Sequence, residues 1–171
     1  MPTPRNRILV AALTVSAAAF GAWQVREGYT DRAVIPVKGD VPTIGHGSTH
    51  YEDGSPVKMG DTITRARATE LARNLMSKDE VAFRASLPAD ARLHQAEYDV
   101  YLDFVGQYGI GNWRQSSMRR DLIAGKYAQA CADLLKYRFV AGYDCSTPGN
   151  RRCPGVWARQ QARYEQCMEA Q

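Results

Sequence analysis

The sequence predicts an α+β fold, mainly α, in which a small β-hairpin lobe and a helical lobe follow an N-terminal apolar helix. Three features predict it. Residues 8–25 carry no charged side chain, glycine and proline are dense over residues 28–60, and apolar residues recur at helical spacing from Thr64 toward the C-terminus. The 171 residues, 44% hydrophobic and 23% charged, suit one globular domain with an appendage.

Residues 1–7 carry Arg5 and Arg7 and no acid, which holds that end in the cytoplasm and sends the chain beyond Val25 across the membrane. The apolar run of residues 8–25 is near the lower limit of the roughly 17–25 residues that a bilayer span needs. It is a weak anchor. Six of its residues are alanine, and Thr14, Ser16, Gly21 and Gln24 bring its insertion free energy close to marginal. Three fates fit such a segment: a signal peptide cut among the small residues from 17 to 22, a permanent anchor, or a segment that inserts and later leaves to pack on the folded domain. The expected division is therefore a membrane-directed segment, 1–25, and a folded domain, 26–171.

Over residues 28–60 the turn-formers Gly28, Pro36, Gly39, Pro42, Gly45 and Gly47 alternate with short β-branched pieces, Ala33 to Val37 and Thr43 to Ile44. This is the pattern of a small antiparallel hairpin. Thr64 then stands where a helix N-cap belongs, ahead of Ala68, Leu71, Ala72 and Leu75 at helical spacing, and Leu87 and Pro88 close that helix. A buried helix begins near Leu93 and is expected to break at Gly106, Gly109 and Gly111. Shorter helices follow from Ser117 to Gly125 and from Tyr127 to Tyr137. After an irregular loop over 144–154, the last helix, 156–168, is expected to turn Trp157, Tyr164 and Cys167 inward.

Cys131, Cys145, Cys153 and Cys167 contain no C-x-x-C pair, so they lack the usual zinc or redox spacing. Beside an export segment an even number reads as two disulfides, with Cys131–Cys167 and Cys145–Cys153 the favoured pairing of three. Basic and acidic residues, 22 against 18, leave a net charge of +4 that is scattered along the chain. That suits an anionic wall or membrane surface and argues against a nucleic-acid binder, which needs a continuous basic stripe. Three dispersed histidines make no metal site, no cofactor is expected, and the chain is expected to be a monomer.

Together, Glu27-Gly28 after a helix, Gly39 with Thr43-Ile44-Gly45 in a hairpin, and a helical lobe resemble the phage-type lysozymes, glycoside hydrolase family 24. Farther along, Gln95, Tyr98, Asp99, Gly109, Ser116, Ser117, Leu122 and Gly125 are similar to the family's central helices. Near the C-terminus Gly155-Val156 and Arg159 resemble its Gly-Leu-x-x-Arg-Arg, with Gln160 in place of the second arginine. Behind a weak export helix, the set looks like the signal-arrest-release endolysins. The resemblance implies a lysozyme-like fold, a peptidoglycan substrate, and an enzyme held at the inner membrane by residues 8–25, facing the periplasm, until release.

Glycoside hydrolysis needs an acid to protonate the leaving oxygen and a second group to activate water or stabilise the positive transition state. The resemblance implies Glu27 as that acid and Thr43 as the residue positioning water. At the family's second acidic position, counting forward from Glu27 gives Pro36 and counting back from Thr43 gives Val37; the nearest hairpin acid is Asp40. Asp40 either takes the role from a shifted position or is a turn-former, in which case Thr43 and its water do more. His46 reads as a turn or supporting residue. The alternative function is a membrane-tethered or secreted peptidoglycan-binding protein whose lysozyme site has degenerated.

Overall fold

A computed structural model describes residues 6–37 and 39–171; Arg5, from the expected cytoplasmic end, lies outside them. The chain divides into two compact units, one of residues up to Thr14 with Phe83–Gln171, the other Val15–Ala82. The architecture is mainly helical with small two-stranded antiparallel sheets, a mixed α and β fold.

The unit Val15–Ala82 holds α1 (Ala17–Glu27), the hairpin strands β2 (Thr30–Val34) and β3 (Thr43–Gly45), and most of α2 (Arg65–Ala85). Thr30 faces Gly45 and Val34 faces Thr43, so the register shifts and β2 carries extra residues as a bulge. The other edge of β2 is bonded to the segment leading into α2, through Ala33 N to Asp61 O and Ile63 N to Asp31 O. Ala33, Ile44, Val57, Ile63, Ala68 and Leu71 form the core beneath this sheet. Gly45 is required there. Its φ is +65°, and a Cβ would come within 2.9 Å of Ala68 Cβ. As expected, the Thr64 hydroxyl caps α2, accepting from Arg67 N. The loop after the hairpin is tied to α2 by Glu52, whose carboxylate accepts two 2.7 Å bonds from Arg67 and one from Asn74. Those bonds hold its pKa down at about 2.

The second unit holds a strand from each end of its sequence, β1 (Ile8–Leu9) paired with β4 (Arg92–Leu93), then α3 (Gln95–Gln115), α4 (Ser117–Ile123), α5 (Tyr127–Asp133), the hairpin β5 (Phe139–Val140) and β6 (Tyr143–Asp144), and α6 (Pro154–Met168). Phe83, Tyr98, Tyr101 and Trp113 pack ring against ring at 5.0–5.4 Å between centroids. The indole N–H of Trp113 is satisfied by Ser86 Oγ at 2.8 Å. Of the three glycines expected to break α3, only Gly109 does, with φ 82° and ψ 155°; Gly106 and Gly111 stay helical.

Both favoured disulfides are present, Cys131–Cys167 joining α5 to α6 and Cys145–Cys153 closing the loop ahead of α6. The first spans 36 residues, and on the chain-entropy account its closure contributes about 4 kcal/mol. Replacing Cys131 and Cys167 together by serine should lower the thermal midpoint by roughly ten degrees. An unchanged midpoint would show that this link adds nothing to the folded state.

Two expectations need correction. Residues 8–25 do not form one apolar helix. Ile8 and Leu9 find β partners, Val10 donates to Ala91 O at 2.9 Å, residues Val10–Ala12 make a 3-10 turn, and helix begins only at Ala17, where Ser16 Oγ accepts from Ala19 N. The 11 residues of α1 span roughly 16 Å against a hydrocarbon core of about 30 Å. Among the described residues no helix is long and apolar enough to cross a membrane.

In α6 the buried side chains are Gln160, Arg163 and Cys167, while Trp157 and Tyr164 are half-buried. Polar residues occupy this inward stripe because partners await them. Arg163 pairs with Asp103 at 2.6 Å, and Gln160 Nε2 donates to Tyr108 Oη at 2.6 Å.

Candidate active site

Glu27 is the last residue of α1, and Gly28 turns the chain out of the helix with φ 73°, its N–H returning to Gln24 O at 3.1 Å. This C-terminal glycine leaves the Glu27 side chain projecting at the helix end, 36% exposed and 3.8 Å from Arg26 Nε. The hairpin comes back beside it: a Cβ built on Gly47 would lie 3.8 Å from Glu27 Oε2. With φ +82° and no side chain, Gly47 leaves the face of the carboxylate uncovered.

Thr43 opens β3 opposite Val34, with its hydroxyl 3.4 Å from Val34 O. Asp40 lies in the exposed turn before it. Its N–H donates to Val37 O at 3.0 Å, and its Oδ1 accepts from Val41 N at 2.9 Å, so one carboxylate oxygen serves the turn. The hairpin therefore carries both Asp40 and Thr43 in the unit that also carries Glu27.

Around the base of Glu27 lies a group of residues that the motifs did not single out. His46 is buried, 5% exposed, with its Nδ1 in close contact with Gly28 O and its Nε2 3.3 Å from the Gln24 amide. Gln24 Nε2 also donates to Thr69 Oγ1 of α2 at 3.0 Å, and Trp23 and Tyr29 flank the imidazole with centroids at 6.1 and 5.8 Å. A groove of about 600 Å³ runs past Gln24, Gly28, Tyr29, His46, Arg65 and Thr69. The sequence signal for this group is local: Gln24 precedes Glu27 by three residues, close to one helical turn, and His46 sits inside the glycine turn.

A carboxylate at a helix end with a glycine turn against it is an arrangement that a lysozyme-type glycoside hydrolase can use. The Phage lysozyme family model matches residues 24–163, and the chain belongs to that family. An endolysin of Salmonella phage P22 is 31% identical over 106 residues, covering 61% of this chain and 69% of its own. A SAR-endolysin of Enterobacteria phage PA-2 is 24% identical over 180 residues, 100% of this chain and 99% of its own. The endolysin of Escherichia coli phage FAHEc1 has the same fold, with a TM-score of 0.76 at 21% identity over 94% of this chain and 96% of its own.

Proposed function

We propose that the chain is an endolysin, a muramidase that hydrolyses the β-1,4 glycosidic bonds of peptidoglycan during host cell lysis. Glu27 is its general acid, Asp40 its base or electrostatic stabiliser, and Thr43 the holder of the attacking water. The observation that carries this reading is the Glu27 carboxylate, partly exposed at the end of α1 with the glycine turn at Gly47 beside Oε2. In the reaction, Glu27 gives its proton to the bridging oxygen as the bond from that oxygen to the sugar C1 breaks. Water bonds to C1, and its proton passes to Asp40. The Asp40 turn bond uses Oδ1, which leaves the role to Oδ2.

The domain 26–171 does this chemistry in the periplasm, and residues 1–25 control when. In this reading residues 8–25 first sit in the inner membrane, then leave it and take up the strand, 3-10 turn and helix of the folded form. Support comes from the marginal hydrophobicity of the segment and from the end-to-end likeness to a SAR-endolysin. Because Glu27 lies two residues beyond Val25, tethering displaces it from Thr43, and release assembles the site.

Turbidity loss of outer-membrane-permeabilised Gram-negative cells tests the assignment. Asp40→Asn should slow lysis about 10²-fold, the lower end for loss of a proton-transfer group, and Thr43→Val by about 10²-fold through misplacement of the attacking water. Full lysis by Asp40→Asn would remove Asp40 from the site, and wall binding without lysis by the natural chain would favour the binding-protein alternative. A variant with the alanines of residues 11–22 changed to leucine stays in the bilayer and should be inactive. Wall digestion by that variant at the natural rate would rule out activation by release.

A further inference from the structure

We propose that His46 is a positioning residue for Glu27, fixing the end of α1 through the Gly28 carbonyl; the inference rests on Glu27 being the acid. Nothing in the general two-carboxylate chemistry asks for an imidazole here. Yet His46, in the turn after β3, is buried and both its ring nitrogens are engaged on α1 or the residue following it.

The partners settle which nitrogen carries hydrogen. A backbone carbonyl only accepts, so Nδ1–H donates to Gly28 O. Nε2 then accepts from the Gln24 amide, which also donates to Thr69. Gln24 O in turn accepts from Gly28 N, so the imidazole, the Gln24 side chain and the last turn of α1 close a ring of hydrogen bonds directly behind Glu27. Trp23 and Tyr29 also pack against the imidazole, both tilted to its plane by just over 50°. Through Thr69 the ring is bolted to α2, and through the turn that His46 shares with Gly47 it is fixed to the backbone beside Glu27 Oε2.

A helix end is the part of a helix most prone to fray, because its last carbonyls have no partner within the helix. Gly28, at positive φ, adds further freedom. His46 removes that freedom at the residue after the acid. Since misplacing a catalytic group by about 1 Å can cost 10²-fold in rate, the imidazole should act on kcat rather than on substrate affinity.

The experiment compares Glu27→Gln, His46→Leu and His46→Asn on soluble peptidoglycan strands, with kcat, KM and thermal midpoint measured for each. Asparagine keeps an N–H near the place of Nδ1; leucine keeps the bulk without the donor. The expected result is an inactive Glu27→Gln, about a 10²-fold loss of kcat at unchanged KM in His46→Leu, and recovery to within about tenfold of the natural rate in His46→Asn. A His46→Leu enzyme with natural kcat would overturn the inference, as would equal losses in both His46 variants tracking a lowered midpoint. Activity retained by Glu27→Gln would instead overturn the assignment of the acid, so the two failures are distinct.

Discussion

Glu27→Gln is expected to abolish wall lysis to within measurement, a loss of about 10²–10⁴-fold from the missing proton donor alone. Glutamine keeps the length and shape of the side chain and can still face Gly47, but it has no acidic proton to give the leaving oxygen. The fold should not notice. Glu27 is partly exposed and its ion-pair contact, Arg26 at 3.8 Å, is a loose surface pair of the kind that contributes little to stability. A circular dichroism melt matching that of the natural chain, together with lost turbidity change, is therefore the expected pair of readings. Lysis by Glu27→Gln at the natural rate would mean that the acid lies elsewhere.

Arg7→Met is expected to destabilise the folded form by about 3 kcal/mol, the low end for breaking a buried ion pair. Arg7 reaches Glu97, whose side chain is fully buried, with two bonds of 3.1 and 2.9 Å. It also lies over the Tyr127 ring at 3.6 Å and donates to the Gln171 side chain. Without Arg7, Glu97 keeps the His94 N–H at 2.7 Å and the Gln171 amide at 2.8 Å, which is why the cost falls at the low end. The expected drop in thermal midpoint is roughly 6–12 °C. Glu97→Gln on the Arg7→Met background should recover much of it, because no charge is then left buried. An Arg7→Met midpoint equal to the natural one would show that the clasp adds nothing.

The parts of the fold that local chemistry decides were legible in the sequence. Thr64 caps its helix, Gly109 breaks α3, and the cysteines pair as their places on two helices and one loop suggested. The parts decided by distant partners were not. A run of alanine, valine and leucine over 8–25 reads as helix because nothing near it announces Arg92 and Leu93 as strand partners or Ala91 O as an acceptor for Val10 N. Likewise Trp157 and Tyr164 read as the inward residues of the last helix, since Asp103 and Tyr108, which make the burial of Arg163 and Gln160 tolerable, lie on another helix. At the site, Glu27 and Thr43 stood out by motif, and Asp40 remains both the nearest acid and an ordinary turn residue with its own bond to Val41. His46 was visible as a turn or supporting residue without a named partner, because its contacts with Gly28, Gln24 and two aromatic rings are made only in the folded chain.

The most direct test of the account is the chemistry of the ends it leaves. Purified peptidoglycan digested with the natural chain and then reduced with borohydride should yield fragments ending in reduced muramic acid, one new reducing end for each bond cut. Fragments ending in reduced glucosamine, fragments closed as an internal anhydro sugar, or no new ends at all would contradict a muramidase that acts by adding water.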